Sequence, residues 1–215
     1  MLRKIIKLII PDRGNIFFRL FVQAAENANK SANILADIIN NEINNKDAQL
    51  SIDLRTQKQQ AININRKLIF ELNNQFITPI ERGDIQALAV LMFKLTKKIV
   101  RINQKLKIYN IDPKTDDCLM KSVITLQKMT GLLVKIIQSF SRQDYEKIVS
   151  YESKKDDFDE SAVENLRHAM QEIALANYDI MMILALQEVY KSIENAIETG
   201  TSIADLVMQI CIKNI

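Results

Sequence analysis

At residues 76–85 the chain reads Phe76-Ile77-Thr78-Pro79-Ile80-Glu81-Arg82-Gly83-Asp84-Ile85, between two long amphipathic segments. Proline fits the first position of a helix, and a threonine before it with a glutamate three residues later has the spacing of a capping box. We therefore expect a helix that is capped by Thr78 and begins at Pro79. A helix start between two amphipathic segments indicates the sharp turn of a helical hairpin.

The composition favours long helices. The chain has 215 residues, of which 47% are apolar and 26% charged, as is ordinary for a globular protein. Only four glycines and three prolines interrupt it. Sheets and loop-rich folds need turn residues about every ten positions, and this chain lacks them.

Apolar residues recur at steps of three and four, which is the helical period. The clearest stripes cover 85–109, 119–140 and 186–211, and less regular ones cover 17–45, 49–76 and 142–177. We expect Asp116 or Thr115 to cap the fourth helix and Asp179 to cap the sixth. Six helices of this length predict an all-α protein in which six long antiparallel helices form two three-helix bundles packed side by side.

The breaks between the stripes suggest how the chain is divided. The Asp112-Pro113 link separates the first three predicted helices from the last three. We therefore predict one bundle at residues 15–111 and another at residues 112–215, preceded by an apolar strip at residues 1–14.

The net charge of +3 hides a difference between the two halves. Residues 1–110 contain 18 Lys/Arg and 9 Asp/Glu, a net charge of +9, whereas residues 111–215 contain 11 and 17, a net charge of −6. The basic half of one copy could therefore meet the acidic half of another. This predicts, as one alternative, a homodimer that salt would weaken.

Other features predict the compartment. Cys118 and Cys211 have no ligand-like spacing, which is typical of buried thiols in a reducing interior. The strip at 1–14 is interrupted by Lys7, is too short to span a bilayer, and is followed by no cleavage site of small residues. We expect a cytoplasmic protein that is not transmembrane, with peripheral contact at the inner face of the membrane as an option.

Enzyme motifs are not found. The sequence has no nucleophile elbow, P-loop or dinucleotide-binding glycine pattern. Its one histidine, His168, lies in the middle of a predicted helix, where a surface position is a simpler interpretation than a general base. We therefore predict that the protein is not an enzyme.

Carboxylates in the second half have helical spacing. Glu152 and Asp156 are four residues apart, as are Glu194 and Glu198, so each pair lies on one helix face. Two such pairs facing each other would supply four hard oxygen ligands for iron, manganese, magnesium or zinc. The alternative is a solvated acidic face.

The third predicted helix carries a basic face opposite its apolar stripe. No Asp or Glu occurs between Ile85 and Asn110. Such a face is either simply solvated or binds a polyanion, an acidic partner or an anionic membrane surface. Nucleic acid is a weaker candidate, because no aromatic residues are interleaved with the cations. The predicted partner-binding residues are Lys94, Lys97, Lys98, Arg101 and Lys105.

Three stretches resemble the PhoU-like phosphate-transport regulators, in the branch that accompanies Pit-type phosphate transporters. Residues 72–85 match the family's most specific block almost letter for letter, with Gly83 where an acidic residue is usual. Residues 17–27 resemble the start of its first helix, and residues 186–194 with 204–205 resemble its last helix. The resemblance implies two PhoU-type three-helix bundles and regulation of phosphate uptake or signalling through protein contacts.

The resemblance also concerns metal, because many PhoU-like proteins hold a metal cluster through a Glu/Asp-x-x-x-Asp motif in each bundle. Residues 54–70 contain no acid, so the first motif falls on Lys58 with Ile62 or on Gln59 with Asn63. The paired aspartates expected in the third helix align with Phe93-Lys94. No metal is therefore expected in the first bundle.

The second half retains more of the motif. Glu152-x-x-x-Asp156 fits it as it stands, and Glu194-x-x-x-Glu198 fits it with glutamate in the last position. The resemblance thus implies a divalent or iron-type metal in the second bundle only.

Three hypotheses result. The first is a non-enzymatic cytoplasmic accessory protein of inorganic phosphate transport, which contacts a phosphate transporter or a phosphate-signalling protein at the membrane. The second is a metal-binding helical bundle that uses the second-half carboxylates. The third is a structural helical oligomer without a ligand.

Overall fold

The computed structural model describes residues 15–40, 46–113 and 116–213, and the predicted strip at 1–14 and the candidate cap Thr115 lie outside them. Within this part the chain forms six long helices and one short one, without strands, which confirms the all-α prediction. The helices are α1 Asn15–Asn40, α2 Lys46–Asn74, α3 Arg82–Ile108, α4 Asp117–Ser141, α5 Tyr145–Val149, α6 Glu152–Leu175 and α7 Ile180–Lys213.

The long helices form two bundles side by side, α1–α3 and α4 with α6 and α7. Between the bundles α1 packs antiparallel on α4, and α3 packs antiparallel on α7. The predicted stripes of α3, α4 and α7 are buried, with Tyr109 at the end of α3 the exception. One apolar core therefore runs through both bundles.

The capping predictions have mixed outcomes. The carboxylate of Asp116 accepts a hydrogen bond from the Leu119 amide at the start of α4, and that of Asp179 accepts one from the Met182 amide at the start of α7. The prediction for the third helix was wrong, because α3 begins at Arg82 and Glu81 is the N-cap residue. The Thr78 hydroxyl is not a cap, since it donates to the Ile80 carbonyl at 2.7 Å.

A further difference lies after α4. The sequence predicted one helix from 142 to 177, but the structure has the short α5 before α6. The Asp144 carboxylate accepts a hydrogen bond from the Lys147 amide, which starts α5. Gln143, with a φ of 60°, separates α4 from this turn. A local polar cap thus interrupts the helical period here.

Residues 76–85 form the joint of the α2–α3 hairpin. The Arg82 guanidinium donates to the Gln75 carbonyl at 2.8 Å and to the Leu72 carbonyl, so it satisfies carbonyl groups at the end of α2. Asp84 is buried, and its two carboxylate oxygens each lie 3.2 Å from Lys213 Nζ near the end of α7. The block therefore connects α2, α3 and α7.

Candidate functional site

An open groove with a volume of about 420 Å³ lies between helices α3 and α7. All seven residues of its lining have polar side chains, and four of them are cationic. The groove is lined by Lys98, Arg101 and Lys105 from α3, and by Glu188, Lys191, Ser192 and Asn195 from α7.

Lys98 crosses from α3 to α7 at one end of this groove. Its ammonium donates to the Asn195 carbonyl at 2.8 Å and to the Thr199 hydroxyl at 2.7 Å. The Thr199 hydroxyl in turn donates to the same Asn195 carbonyl at 2.8 Å. The Thr199 hydroxyl therefore donates its one hydrogen to the carbonyl and accepts the hydrogen bond from Lys98 through a lone pair.

Lys105 makes the equivalent crossing about two helical turns away. Its ammonium pairs with the Glu188 carboxylate and donates to the Ser192 hydroxyl at 2.8 Å. The hydrogen bond from Lys105, together with its charge, lowers the pKa of Glu188 below its usual value. Glu188 is therefore ionised at neutral pH and neutralises one of the four cations.

The other two cations of the groove are Arg101 and Lys191. Both side chains are exposed, and neither makes a hydrogen bond or ion pair with the residues that the structure describes. Because Glu188 is the single acid in the lining, the four cations leave the groove with a net charge of +3. The site therefore attracts anions and has two cations free to contact them.

The structure divides the predicted basic face into two groups. Lys98, Arg101 and Lys105 line the groove, whereas Lys94 and Lys97 are exposed on α3 outside it. Partner binding by these five residues stays a prediction. In the structure two of the five, Lys98 and Lys105, already form hydrogen bonds with residues of α7.

Sequence reasoning missed the α7 side of the groove. Glu188, Ser192, Asn195 and Thr199 are three or four residues apart, so they form a polar stripe at helical spacing. This spacing is the signal in the sequence from which the α7 side of the groove could have been predicted. The sequence does not show that this stripe packs against α3, because about ninety residues separate the contacting positions on the two helices.

The four predicted metal ligands lie on the second bundle but do not converge. Lys155 lies opposite Asp205, and Asp159 opposite Thr201, which fixes the antiparallel register of α6 and α7. In this register Glu152 and Asp156 lie beside the last part of α7. Glu194 and Glu198 lie more than a turn away from them, beside the middle of α6.

The chemistry beside Asp156 does not suit a metal either. The Lys155 ammonium lies 3.1 Å from the Asp156 carboxylate and 2.6 Å from the Asp205 carboxylate. Burial lowers the pKa of Lys155, but the hydrogen bonds and charges of the two aspartates outweigh this and raise it. The single positive charge of Lys155 thus offsets one of the two negative charges and occupies the position between these carboxylates. Among the described residues no three His, Cys, Asp or Glu side chains form a metal-binding group, and metal binding here stays a prediction.

In the first bundle the two possible registers of the motif have the amides Gln59 and Asn63, or Lys58 and Ile62, in place of acids. A groove of about 380 Å³ between α1 and α2 is lined mostly by amides, with one carboxylate and one ammonium among them: Gln23, Glu26, Asn27, Lys30, Gln57, Gln60, Asn63 and Ile64. Asn27 Nδ2 donates to the Gln57 carbonyl at 3.0 Å. Neutral amides are weak ligands for multivalent ions, and the expectation of no metal in this bundle also stays a prediction.

A cysteine and a histidine also lie close together, between α4 and α6. Cys118 Sγ lies 3.4 Å from His168 Nδ1. Burial, with the nearby carboxylates of Asp116 and Glu172, raises the pKa of the Cys118 thiol. The thiol is therefore protonated at neutral pH and does not have the character of a nucleophilic thiolate.

Comparisons with solved structures identify the fold. A PhoU-like protein from Shewanella oneidensis MR-1 aligns with a TM-score of 0.79 at 10% identity, over 92% of this chain and 99% of that chain. A PhoU-like phosphate regulatory protein from the same organism gives 0.77 at 11%, over 92% and 99%. PhoU from Pseudomonas aeruginosa gives 0.63 at 17%, over 93% and 96%. No family model and no curated protein matches the sequence.

At these identities the comparisons establish the fold alone. The chain has a PhoU-like fold of two three-helix bundles, as the resemblance at residues 72–85 implied. In the described part of the chain, no helix has both the length and the apolar character that crossing a membrane requires.

Proposed function

We propose that this protein is a PhoU-like regulator of inorganic phosphate transport, which acts by contact with a phosphate transporter or a phosphate-signalling protein. The observation that carries the proposal is the fold, which matches a PhoU-like phosphate regulatory protein over nearly the whole of both chains. The resemblance at 72–85 extends the proposal to the accessory branch of Pit-type transporters. The role requires no catalytic group, and it places the protein in the cytoplasm, at the inner face of the membrane.

The contact surface that we propose is the exposed part of the basic face. Lys94 and Lys97 are exposed on α3, and Arg101 lies beside them at the edge of the groove. Long-range attraction between such a surface and an acidic partner accelerates association and is weakened by salt. A transporter surface next to anionic lipid headgroups would favour the same orientation.

The tip of the α2–α3 turn is a second contact surface. Phe76 is 99% exposed and Ile77 is 79% exposed, although both belong to the stretch that resembles the family most closely. Their side chains do not stabilise the core. We propose that they contact the same partner, since aromatic side chains are enriched at protein interfaces.

The test is capture of the partner from native membranes by the tagged full-length protein. We expect the wild type to recover a phosphate transporter or a phosphate-signalling protein. Charge reversal by Lys94→Glu with Lys97→Glu should weaken capture and remove its dependence on salt, and Phe76→Ser should weaken it at every salt concentration. Lys128→Glu, on the exposed face of α4, is the matched control.

A deletion strain provides the second measurement. Phosphate uptake should change when the gene is removed and return when the wild-type gene is restored. Unchanged uptake, together with no transporter or phosphate-signalling protein in the captured material, would contradict the proposed function.

A further inference from the structure

The groove between α3 and α7 contains cations that could bind a small anion as well as a partner protein. We propose that it binds a free anion with two or more linked phosphate groups, such as inorganic diphosphate or triphosphate. This inference adds a ligand to the proposed function. Its role in phosphate regulation rests on that function, but the binding itself requires no partner protein.

The first argument is charge. The lining carries four cations and one carboxylate, and α3 has no acidic residue after Asp84. Arg101 and Lys191 approach the groove from opposite helices, and each feels the charge of Glu188 without forming a hydrogen bond or ion pair with a described side chain. An arginine guanidinium offers a planar pair of donors that fits two phosphate oxygens, and a lysine ammonium adds a point charge.

The second argument is length. Lys98 and Lys105 are seven residues apart on α3, so their positions are about 10 Å apart along the helix axis. A single phosphate ion is too small to contact both ends of this row. A chain of linked phosphates lies along it and contacts Arg101 in the middle.

The third argument concerns what the lining does not offer. It contains no aromatic side chain on which a nucleobase could stack. The Ser192 hydroxyl donates to the Glu188 carbonyl at 2.6 Å, and the Asn195 amide donates to the Lys191 carbonyl at 2.6 Å. The Ser192 donor is therefore occupied and the Asn195 amide keeps one free hydrogen, so recognition falls mainly to the charged groups. Such a groove selects for charge rather than for a sugar or a base.

Glu188 limits the affinity of the groove. Its carboxylate pairs with Lys105 and adds the one negative charge that an anion would meet. Neutralising Glu188 therefore both removes repulsion and frees Lys105. A phosphate chain bound here would also neutralise part of the basic face, which connects ligand binding to contact with an acidic partner.

The test is isothermal titration calorimetry on the purified full-length protein at one fixed salt concentration. The probes are inorganic phosphate, diphosphate and triphosphate. We expect triphosphate to bind more tightly than diphosphate, and inorganic phosphate to bind weakest. Arg101→Ala and Lys191→Ala should each weaken triphosphate binding about ten-fold or more, since each removes a charged hydrogen-bond donor. Both side chains are exposed and neither forms a hydrogen bond or ion pair with a described residue, so both variants should fold.

Two further variants make the result specific. Lys107→Ala removes the same charge from an exposed position on α3 outside the groove, and it should change the affinity less than about two-fold because exposed charges are screened. Glu188→Gln should tighten binding. An equal loss in Lys107→Ala and Arg101→Ala would overturn the proposal, because it would show attraction by the whole basic half.

Vesicles that contain phosphatidylglycerol distinguish a lipid headgroup from a free ligand. If triphosphate does not bind, or if the groove variants lose vesicle binding but keep triphosphate binding, the proposal fails. The assay contains no partner protein. If triphosphate does not bind but the partner is captured from membranes, only the groove proposal fails. If triphosphate binds but no partner is captured, only the proposed function fails.

Discussion

The polar bridges between α1 and α4 are made by neutral groups, whereas those between α3 and α7 are made by lysines. Across α1–α4, the Gln127 amide donates to Asn33 Oδ1 at 2.9 Å and the Thr130 hydroxyl to Asn29 Oδ1 at 3.2 Å. The Phe18 and Phe140 rings pack edge to face, with their centroids 5.2 Å apart.

Across α3–α7 the bridging groups are charged, and an open groove lies between them. Lys98 and Lys105 each reach over to α7, and Lys213 reaches back to Asp84. Ammonium groups at a solvated seam contribute little net stability, because desolvation and ordering offset their attraction. Both seams contain buried apolar residues of the common core, so both join the bundles, and the contrast lies in their polar groups: neutral at α1–α4 and charged at α3–α7.

The largest difference between the seams should appear when Phe140 is truncated. Phe140 is 3% exposed, so Phe140→Ala removes a buried aromatic ring and should lower the free energy of unfolding by about 3–5 kcal/mol. Lys98→Met on the other seam should cost about 1 kcal/mol or less, since Thr199 and the Asn195 carbonyl remain bonded to each other. Urea denaturation measures both. A larger loss in Lys98→Met would reverse the assignment of roles.

Gly131 and Gly200 differ in how close the neighbouring helix lies to each of them. A Cβ at Gly200, where α7 meets α4, would lie 2.8 Å from Met129 Cγ, whereas a Cβ at Gly131 would lie 3.7 Å from Asn29 Oδ1 on α1. Gly200→Ala should therefore destabilise the protein by about 1–3 kcal/mol through overpacking. Gly131→Ala has room, and it should stabilise the protein by up to about 1 kcal/mol through helix propensity. Equal effects on the denaturation midpoint would show that the contacts at α1–α4 and α4–α7 are equally close.

The fold was predictable from the sequence because it depends on periodicity. The stripes at 85–106, 119–140 and 186–211 are buried as expected, since a helix repeats its face every three or four residues. Helix boundaries were less certain, because they depend on single hydrogen bonds. The proline at 79 suggested a start, but Arg82 binds carbonyl groups of α2 and α3 begins there instead.

The site was predictable only on one helix. The cations of α3 share a face, so local spacing identified them. Lys191 and Ser192 join them through the packing of α7 on α3, which no local pattern encodes. The carboxylates of α6 and α7 show the same limitation, because their spacing within each helix is suitable but the register between the helices separates the pairs.

Double-mutant cycles compare the polar bridges of the two seams directly. The cycle of Gln127→Leu with Asn33→Leu should give a coupling of about 1 kcal/mol, because it removes one neutral hydrogen bond. This coupling should not depend on salt. The cycle of Lys105→Met with Glu188→Gln should give a coupling that falls between about 0.05 M and 1 M salt, because exposed charges are screened. A coupling of Lys105 with Glu188 that is constant in salt would indicate that α3–α7 is not an electrostatic seam.

Acid should affect the α3–α7 seam and leave the neutral bridge of α1–α4 unchanged. The hydrogen bond from Lys105, with its charge, lowers the pKa of Glu188 in the folded protein. A lowered folded pKa means that Glu188 contributes stability above the unfolded pKa of about 4.3, and that this contribution is lost as the pH falls through the folded pKa. The difference in unfolding free energy between wild type and Glu188→Gln should therefore be present at pH 6 and shrink towards zero below about pH 4.

Gln127→Leu is the matched control for this titration, because neither Gln127 nor Asn33 titrates. Its difference from the wild type should be the same at both pH values. Urea denaturation at each pH measures the two variants in parallel. If the Glu188→Gln difference were independent of pH, the pKa of Glu188 would be the same in the folded and unfolded protein, and its pairing with Lys105 would not stabilise the ionised carboxylate.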